Sequence, residues 1–127
     1  MHGSSYCRDL FVVKYSAAPG AQADLKPHTD GSIISFNVLL NDSAEFDGGG
    51  THFLHLDATI SAERGGCVVH DSKYTHAGQP ITRGVRYLLV GFVETTDRMH
   101  DAPRNAERTG AEQPQPRMEL GSLPVDS

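Results

Sequence analysis

The feature that most restricts the fold is a series of short β-branched and aromatic runs, separated by Gly, Pro, Asn and Asp, over residues 1–93. No sustained helical periodicity occurs in this part of the chain, so the runs predict strands rather than helices. About eight strands at short, even spacing indicate an all-β sandwich or barrel. The predicted strands cover residues 10–15, 25–30, 32–40, 51–56, 58–63, 67–70, 77–82 and 85–93.

These strands differ in their predicted environment. The stretch SIISFNVLL at residues 32–40 is apolar on both faces and predicts a covered strand, and CVVH at 67–70 predicts a short buried one. VRYLLVGFV at 85–93 is the strongest strand pattern. Pro27 suggests a sheet edge or a strand end, since proline cannot donate a ladder hydrogen bond.

The C-terminal part of the chain has a different composition. After Phe92 there is no aromatic residue, and four of the seven prolines lie in residues 97–127. Such a segment buries too little apolar area to offset its ordering entropy. We therefore predict a folded domain over residues 9–94 and a disordered tail over 95–127, with a short helix at 105–113 as an alternative.

Charge and cysteine content narrow the classes of partner. The 127 residues carry 11 basic and 16 acidic side chains, a net charge of −5, and no basic stripe that would predict nucleic-acid binding. No apolar stretch is long enough to span a bilayer, and the N-terminus lacks a signal-peptide pattern, so we expect a cytoplasmic protein if the chain is complete. Cys7 and Cys67 are predicted to be reduced thiols rather than a disulfide scaffold.

The tripeptide His28-Thr29-Asp30 is the first candidate for chemistry. In an extended segment, residues i and i+2 project from the same face, so an imidazole and a carboxylate lie side by side. A third ligand would complete a facial triad that leaves coordination positions open. His76, 46 positions after Asp30, is the natural candidate. A His-x-Asp tripeptide is common by chance, and other histidines remain possible partners. His52 and His55 should face opposite sides of a strand, and His70 could line a pocket. His2 and His100 are predicted to lie in flexible ends of the chain.

Arg86 is the second candidate, because its apolar neighbours in VRYLLVGFV predict burial. A buried guanidinium is costly unless it meets an anion, and its planar fork suits a carboxylate. An internal salt bridge or a side chain that reaches the surface are the alternatives. Together with the triad, a ligand carboxylate is the better explanation. Arg83, in the predicted turn 82–84, should simply be solvated.

With these residues, the chain resembles the Fe(II)/2-oxoglutarate-dependent dioxygenases, and within them the prolyl and lysyl hydroxylase branch. The stretches FVVKY, LKPHTD, ISFNVLLN, FDGGGTHF and HAGQPITRGVRYLLVGFV are similar to that branch, in the same order, over residues 9–94. FDGGGTHFL and GVRYLLVGFV look most like procollagen lysyl hydroxylase catalytic domains. The resemblance implies a double-stranded β-helix, the jelly-roll or cupin-like fold, with eight core strands.

The resemblance also implies roles for particular residues. His28, Asp30 and His76 would bind Fe(II), and Arg86 would hold the distal carboxylate of 2-oxoglutarate. Tyr15 and Asn37 match positions that contact this co-substrate. Read without the resemblance, Tyr15 is a core aromatic at a strand end, whereas an amide in so apolar a strand needs a hydrogen-bonding partner.

The implied reaction is hydroxylation of a substrate C–H bond with O2, releasing succinate and CO2, and L-ascorbate dependence is common in the branch. A carboxylate at Asp30 favours hydroxylation over halogenation. The substrate would be peptidyl lysine or proline, although small molecules such as free amino acids are also used by similar proteins. The sequence carries no information on the oligomeric state.

Two other function classes remain open. The first is a non-catalytic or truncated β-helix module that binds a ligand or a partner protein, because the chain starts almost at the first core strand. The second is a zinc hydrolase that uses the same three ligands, a scheme in which Arg86 and Asn37 have no obvious role.

Overall fold

The computed structural model describes residues 3–96, and these form nine strands. The predicted tail lies almost entirely outside the described residues, and the alternative helix at 105–113 lies wholly outside them. A 3₁₀ turn, Ser43–Glu45, precedes β4. The strands are β1 (Ser5–Ser16), β2 (Leu25–His28), β3 (Ile34–Leu39), β4 (Phe46–Gly48), β5 (Thr51–Phe53), β6 (Ala58–Ile60), β7 (Cys67–Asp71), β8 (His76–Gly78) and β9 (Ile81–Thr95).

The strands form two antiparallel sheets. The first has the order β1-β9-β3-β7, with β4 also pairing with β9, and the second has the order β2-β8-β5-β6. Neighbours in each sheet are mostly distant in sequence, so the chain passes back and forth between the sheets. This is the jelly-roll, double-stranded β-helix architecture, which confirms the predicted fold class. In the described part of the chain, no helix is long and apolar enough to cross a membrane.

β9 is an inner strand of the first sheet, between β1 and β3. Because side chains alternate along a strand, every second residue of β9 can face the cavity between the sheets. β9 pairs with β1 from Ser5↔Thr95 to Ser16↔Val85, and with β3 on its other side. Gly84 within it has φ +77, and a Cβ there would meet the Glu45 carbonyl oxygen of the approaching turn. Only glycine allows this close approach. The apolar core consists of Val13, Tyr15, Leu39, Phe46, Ile81 and Leu88.

Several sequence predictions need correction. The CVVH strand is not buried: β7 lies at the edge of its sheet and Val69 is 62% exposed. β4 was not predicted, because three residues are too few to show a period. The strand predicted at 77–82 ends at Gly78, and Ile81 already begins β9, so Arg83 lies in a strand and not in a turn. Its side chain is exposed, as predicted, and pairs with Asp47. Cys7 and Cys67 are free thiols, as predicted.

Candidate metal centre

Strand pairing brings His28, Asp30 and His76 together. His28 ends β2 and His76 begins β8, and the two are direct partners in the antiparallel register. The sequence predicted that Asp30 lies inside this strand, but it lies just beyond the end of β2. One ligand atom from each of the three residues lies within 4.8 Å of the others. Asp30 Oδ1 is 3.5 Å from His28 Nε2, and Asp30 Oδ2 is 3.3 Å from His76 Nε2.

Both imidazole rings are oriented by backbone carbonyls. Nδ1 of His28 lies 2.6 Å from the Lys26 carbonyl oxygen, and Nδ1 of His76 lies 2.9 Å from that of Tyr74. A carbonyl oxygen only accepts, so Nδ1 carries the proton in both rings and a neutral ring presents the Nε2 lone pair to the carboxylate. Lone pairs that converge at these distances repel unless a proton or a metal ion lies between them. This set of donors therefore suits a divalent metal ion.

The Asp30 carboxylate is buried and held in its ionised form. Burial by itself would raise its pKa, but contacts with His28 and His76, and a hydrogen bond from Ser35, bring the pKa well below its usual range. Ser35 Oγ donates to Asp30 Oδ2 over 2.5 Å. The Asp30 backbone N–H donates to the Ser72 carbonyl at 3.0 Å. The carboxylate is thus available as an anionic ligand at neutral pH.

A cavity between the two sheets extends from this centre. Alternate residues of β1 and β9, together with residues of β3 and β7, form one wall, and residues of β2, β5 and β8 form the other. Its polar lining residues include Tyr15, Asn37, Thr51 and His70, and its apolar ones include Phe11 and Val90. The amide of Asn37 donates to Thr51 Oγ1 across the two sheets at 3.4 Å. The cavity thus combines a polar end at the three ligands with apolar walls.

Arg86 is buried close to this cavity, at 5% exposure. It is the register partner of Tyr15, and its Cζ lies 5.5 Å from the Tyr15 ring centroid. Arg86 is not itself a lining residue; it lies against Tyr15, which is. Its Nη1 has no hydrogen-bond partner, and no carboxylate among residues 3–96 pairs with it, so the salt-bridge and surface alternatives are wrong. Burial lowers the pKa of Arg86.

Comparisons with known proteins identify the superfamily of the chain. No family model matches the chain. Over 88 residues, 66% of this chain, it is 42% identical to the multifunctional procollagen lysine hydroxylase and glycosyltransferase LH3 of Rattus norvegicus and 41% identical to human procollagen-lysine,2-oxoglutarate 5-dioxygenase 2. The chain belongs to the Fe(II)/2-oxoglutarate-dependent dioxygenase superfamily. It spans only 12% of the length of these relatives.

A solved structure supports the fold. An oxidoreductase of the 2OG-Fe(II) oxygenase family from Burkholderia pseudomallei superimposes with a TM-score of 0.62, covering 74% of this chain and 47% of that one. The sequence identity is 16%, so this likeness concerns the fold alone. The superposition shows that the strands of this chain follow the same fold as that structure.

The remaining histidines are not part of the three-ligand cluster. His52 contacts Thr59 Oγ1, and His55 lies in the turn after β5, where it stacks on Tyr74, instead of facing the opposite side of a strand. His70 does line the cavity, with its ring 4.4 Å from the His76 ring. Burial lowers its pKa, so its imidazole is neutral at neutral pH. His2 and His100 lie outside the described residues.

Serine residues at the site were missed by sequence reasoning. Ser32, Ser35 and Ser72 are fully buried next to Asp30. A signal for one of them was available, because Ser35 and Asn37 are polar residues two positions apart in the apolar stretch SIISFNVLL. Polar residues on a buried face need partners. Ser72 carries no comparable signal, since it lies in the turn after β7.

Proposed function

We propose that this protein is an active Fe(II)- and 2-oxoglutarate-dependent dioxygenase that hydroxylates a C–H bond of its substrate, with peptidyl lysine or proline as the substrate class. The observation that carries this proposal is the convergence of three electron-pair donors, His28, Asp30 and His76, within 4.8 Å. Two imidazoles and one carboxylate on one face form the ligand set typical of non-haem Fe(II) oxygenases.

The iron fits the donor set because each ligand has its own support. Backbone carbonyls fix the His28 and His76 rings, and Ser35 supports the Asp30 carboxylate. When bound, iron and 2-oxoglutarate supply the oxidising chemistry, in which O2 is consumed, the co-substrate leaves as succinate and CO2, and the substrate gains a hydroxyl group. These three side chains would hold the iron and would leave it accessible to small molecules from the cavity.

The 2-oxoglutarate fits the residues around Arg86. Its guanidinium is buried with Nη1 unpartnered, which is costly until an anion is bound. Burial raises the pKa of Tyr15 to about 12, although Arg86 acts in the opposite direction, so the phenol stays protonated and can donate. The Asn37 amide provides a further donor beside the cavity. We therefore assign Arg86 to the distal carboxylate, with Tyr15 and Asn37 as contacts to the co-substrate.

The apolar walls have their own function in this scheme. Phe11, Phe36, Val90 and Phe92 line the cavity next to the polar end. Such a surface limits water at the reacting centre, which strengthens the electrostatic contacts there and protects a reactive oxidant from side reactions. The substrate class is suggested by the relatives, whose names describe procollagen lysine hydroxylases. L-Ascorbate as a protecting reductant remains an expectation from the family resemblance.

The test is succinate formation by the purified chain. The protein is prepared anaerobically, mixed with Fe(II), 2-oxoglutarate and ascorbate, and exposed to air with and without peptides that contain lysine or proline. We expect succinate above the level of a His76→Ala variant, and a mass gain of one oxygen on one of the peptides. A folded chain that binds neither Fe(II) nor 2-oxoglutarate would contradict the proposal and favour a non-catalytic β-helix module.

A further inference from the structure

A cluster of three buried serine hydroxyls lies directly behind the Asp30 carboxylate. Ser72 Oγ is 2.7 Å from Ser35 Oγ and 2.7 Å from Ser32 Oγ, and Ser35 Oγ is 2.5 Å from Asp30 Oδ2. Exposure is 0% for Ser32 and Ser72 and 2% for Ser35. The hydroxyls come from three segments, the loop after β2, strand β3 and the turn after β7. Folding therefore assembles the cluster from distant parts of the chain.

The number of hydroxyl protons fixes the direction in which the hydrogen bonds of this cluster run. A carboxylate only accepts, so the single Ser35 proton is donated to Asp30. Ser35 must then accept from Ser72, which uses the Ser72 proton. Ser72 in turn must accept from Ser32, because two oxygens 2.7 Å apart with no proton between them would repel. The Ile34 carbonyl, 3.2 Å from Ser32 Oγ, is the weaker competitor for that last proton.

We propose that Ser32, Ser72 and Ser35 form a directed hydroxyl chain that positions the Asp30 carboxylate for metal binding. The inference rests on the metal centre proposed above. Aligned hydroxyls polarise one another, so each donor strengthens the next. These serines are positioning residues, because they act on the metal through Asp30; Ser35 also lines the cavity, whereas Ser32 and Ser72 do not.

The backbone of Ser72 gives the chain a second anchor. Its carbonyl accepts from Asp30 N–H and its own N–H donates to the Ile33 carbonyl, both at 3.0 Å. Ser72 also lies four positions before His76 on the segment that leads into β8. One residue thus connects the loop that carries Asp30 to the strand that carries His76. The hydroxyl chain sets the carboxylate relative to both histidines.

The experiment measures Co(II) binding to the full chain by titration and by the visible d–d absorption of the bound ion. Ser35→Ala should weaken Co(II) binding by roughly 10–100-fold, the range usual for groups that support a metal ligand. Ser72→Ala should cost less, because Ser35 can still donate to Asp30, and Ser32→Ala should cost least. Ser35→Thr keeps the hydroxyl and should restore binding and the absorption spectrum.

Ser16→Ala is the matched control. Ser16 is also buried, and its hydroxyl accepts a backbone hydrogen bond from Ala18. It should lose stability like the other serine variants and keep the Co(II) affinity of the parent chain. A role limited to filling the core would give similar losses of unfolding free energy at all four serines and an unchanged Co(II) spectrum, and that result would overturn the proposal.

The two proposals can fail separately. If the parent chain binds Co(II) and Ser35→Ala binds it equally well with the same spectrum, the hydroxyl chain is wrong and the metal centre stands. If the parent chain binds no Co(II), both are wrong. Should Ser35→Ala not fold, Ser72→Ala decides: parent-like affinity and spectrum contradict the proposal, and a weaker, rescued site in Ser72→Thr supports it.

Discussion

The metal centre and the Arg86 region beside its cavity are built in opposite ways. At the metal centre, the side chains of His28, Asp30 and His76 converge as electron-pair donors, an arrangement that a cation stabilises, either protons on the imidazoles or a bound metal ion. At Arg86 a buried cation has an unpartnered N–H and no carboxylate among the described residues, so an anion is needed. Tyr15 and Asn37 add further donors there.

This difference shows why the protein bears two energetically costly regions. Each is costly alone, because buried charges and converging lone pairs are unfavourable without compensation. A metal ion resolves one and a carboxylate resolves the other. A small dicarboxylate that chelates the metal would engage both at once, which is the chemistry of 2-oxoglutarate. Both regions depend on rigid strands, since the register pairs His28 with His76 and Tyr15 with Arg86.

The largest effect is expected at the metal centre. His76→Ala removes a direct ligand, so we expect a loss of Fe(II) binding and succinate formation beyond the roughly 10–100-fold typical of supporting groups. Metal content and turnover measure it. His52→Ala is the matched control, because His52 contacts Thr59 and lies outside the three-ligand cluster. Full activity in His76→Ala would show that this cluster does not need a metal ion, and the contrast with Arg86 would then be wrong.

Arg86→Met tests whether the Arg86 region needs an anion. It should weaken the binding of 2-oxoglutarate and raise the stability of the ligand-free protein. Losing charged hydrogen bonds to a carboxylate should raise the KM for 2-oxoglutarate by roughly 10–100-fold. The ligand-free protein should become more stable by about 1–3 kcal/mol, because an unpartnered buried donor is removed. Urea denaturation without 2-oxoglutarate checks the second effect.

Arg83→Met is the control for this variant. Arg83 is exposed and pairs with Asp47 at 2.7 Å, so its removal should leave the KM for 2-oxoglutarate unchanged. Its unfolding free energy should change little, as for other surface ion pairs, which solvent and salt screen. If Arg86→Met instead destabilised the ligand-free chain, its guanidinium would have a compensating partner within the protein.

Tyr15, which lies against Arg86, provides a test that depends on pH. Burial raises its pKa to about 12, above the ordinary value of 10.0. The folded state therefore favours the protonated phenol, a stabilisation that is complete below pH 10 and is lost as the pH rises toward 12. This loss is on the order of 3 kcal/mol, at about 1.36 kcal/mol for each pKa unit. Tyr15→Phe should show a smaller decline in unfolding free energy over this window, and an identical decline would contradict it.

The smallest effect is expected from Gly78→Ala. A Cβ at this position would lie 2.7 Å from the Tyr15 hydroxyl, so the phenol would have to shift. We expect a several-fold rise in the KM for 2-oxoglutarate with metal affinity retained, since one neutral hydrogen bond contributes about 1 kcal/mol. Gly20→Ala is the control, because a Cβ there meets no atom within 4 Å, although its φ of +81 will cost some stability. If Gly78→Ala raises the KM for 2-oxoglutarate by the same factor in the parent chain and in Tyr15→Phe, the phenol is not involved.

Sequence reasoning predicted the elements of the fold better than their surroundings. Every predicted strand is present, since alternating apolar residues are a local signal. The burial of Arg86 followed from its neighbours and is confirmed. Strand ends were less accurate: β2 stops at His28, and β1 extends back to Ser5 because it continues to pair with β9. The predicted roles of the site residues remain proposals for the experiments above.

The amino-acid sequence by itself determined the all-β class, the His-x-Asp tripeptide and the placement of a guanidinium inside an apolar strand. These depend on residues near one another in the chain. Only the tertiary structure decided which histidine meets Asp30, that β7 is an exposed edge, and that Ser32, Ser35 and Ser72 meet behind the carboxylate. Strand order and register depend on contacts between distant segments, and a period of two residues contains no information about which strands become neighbours.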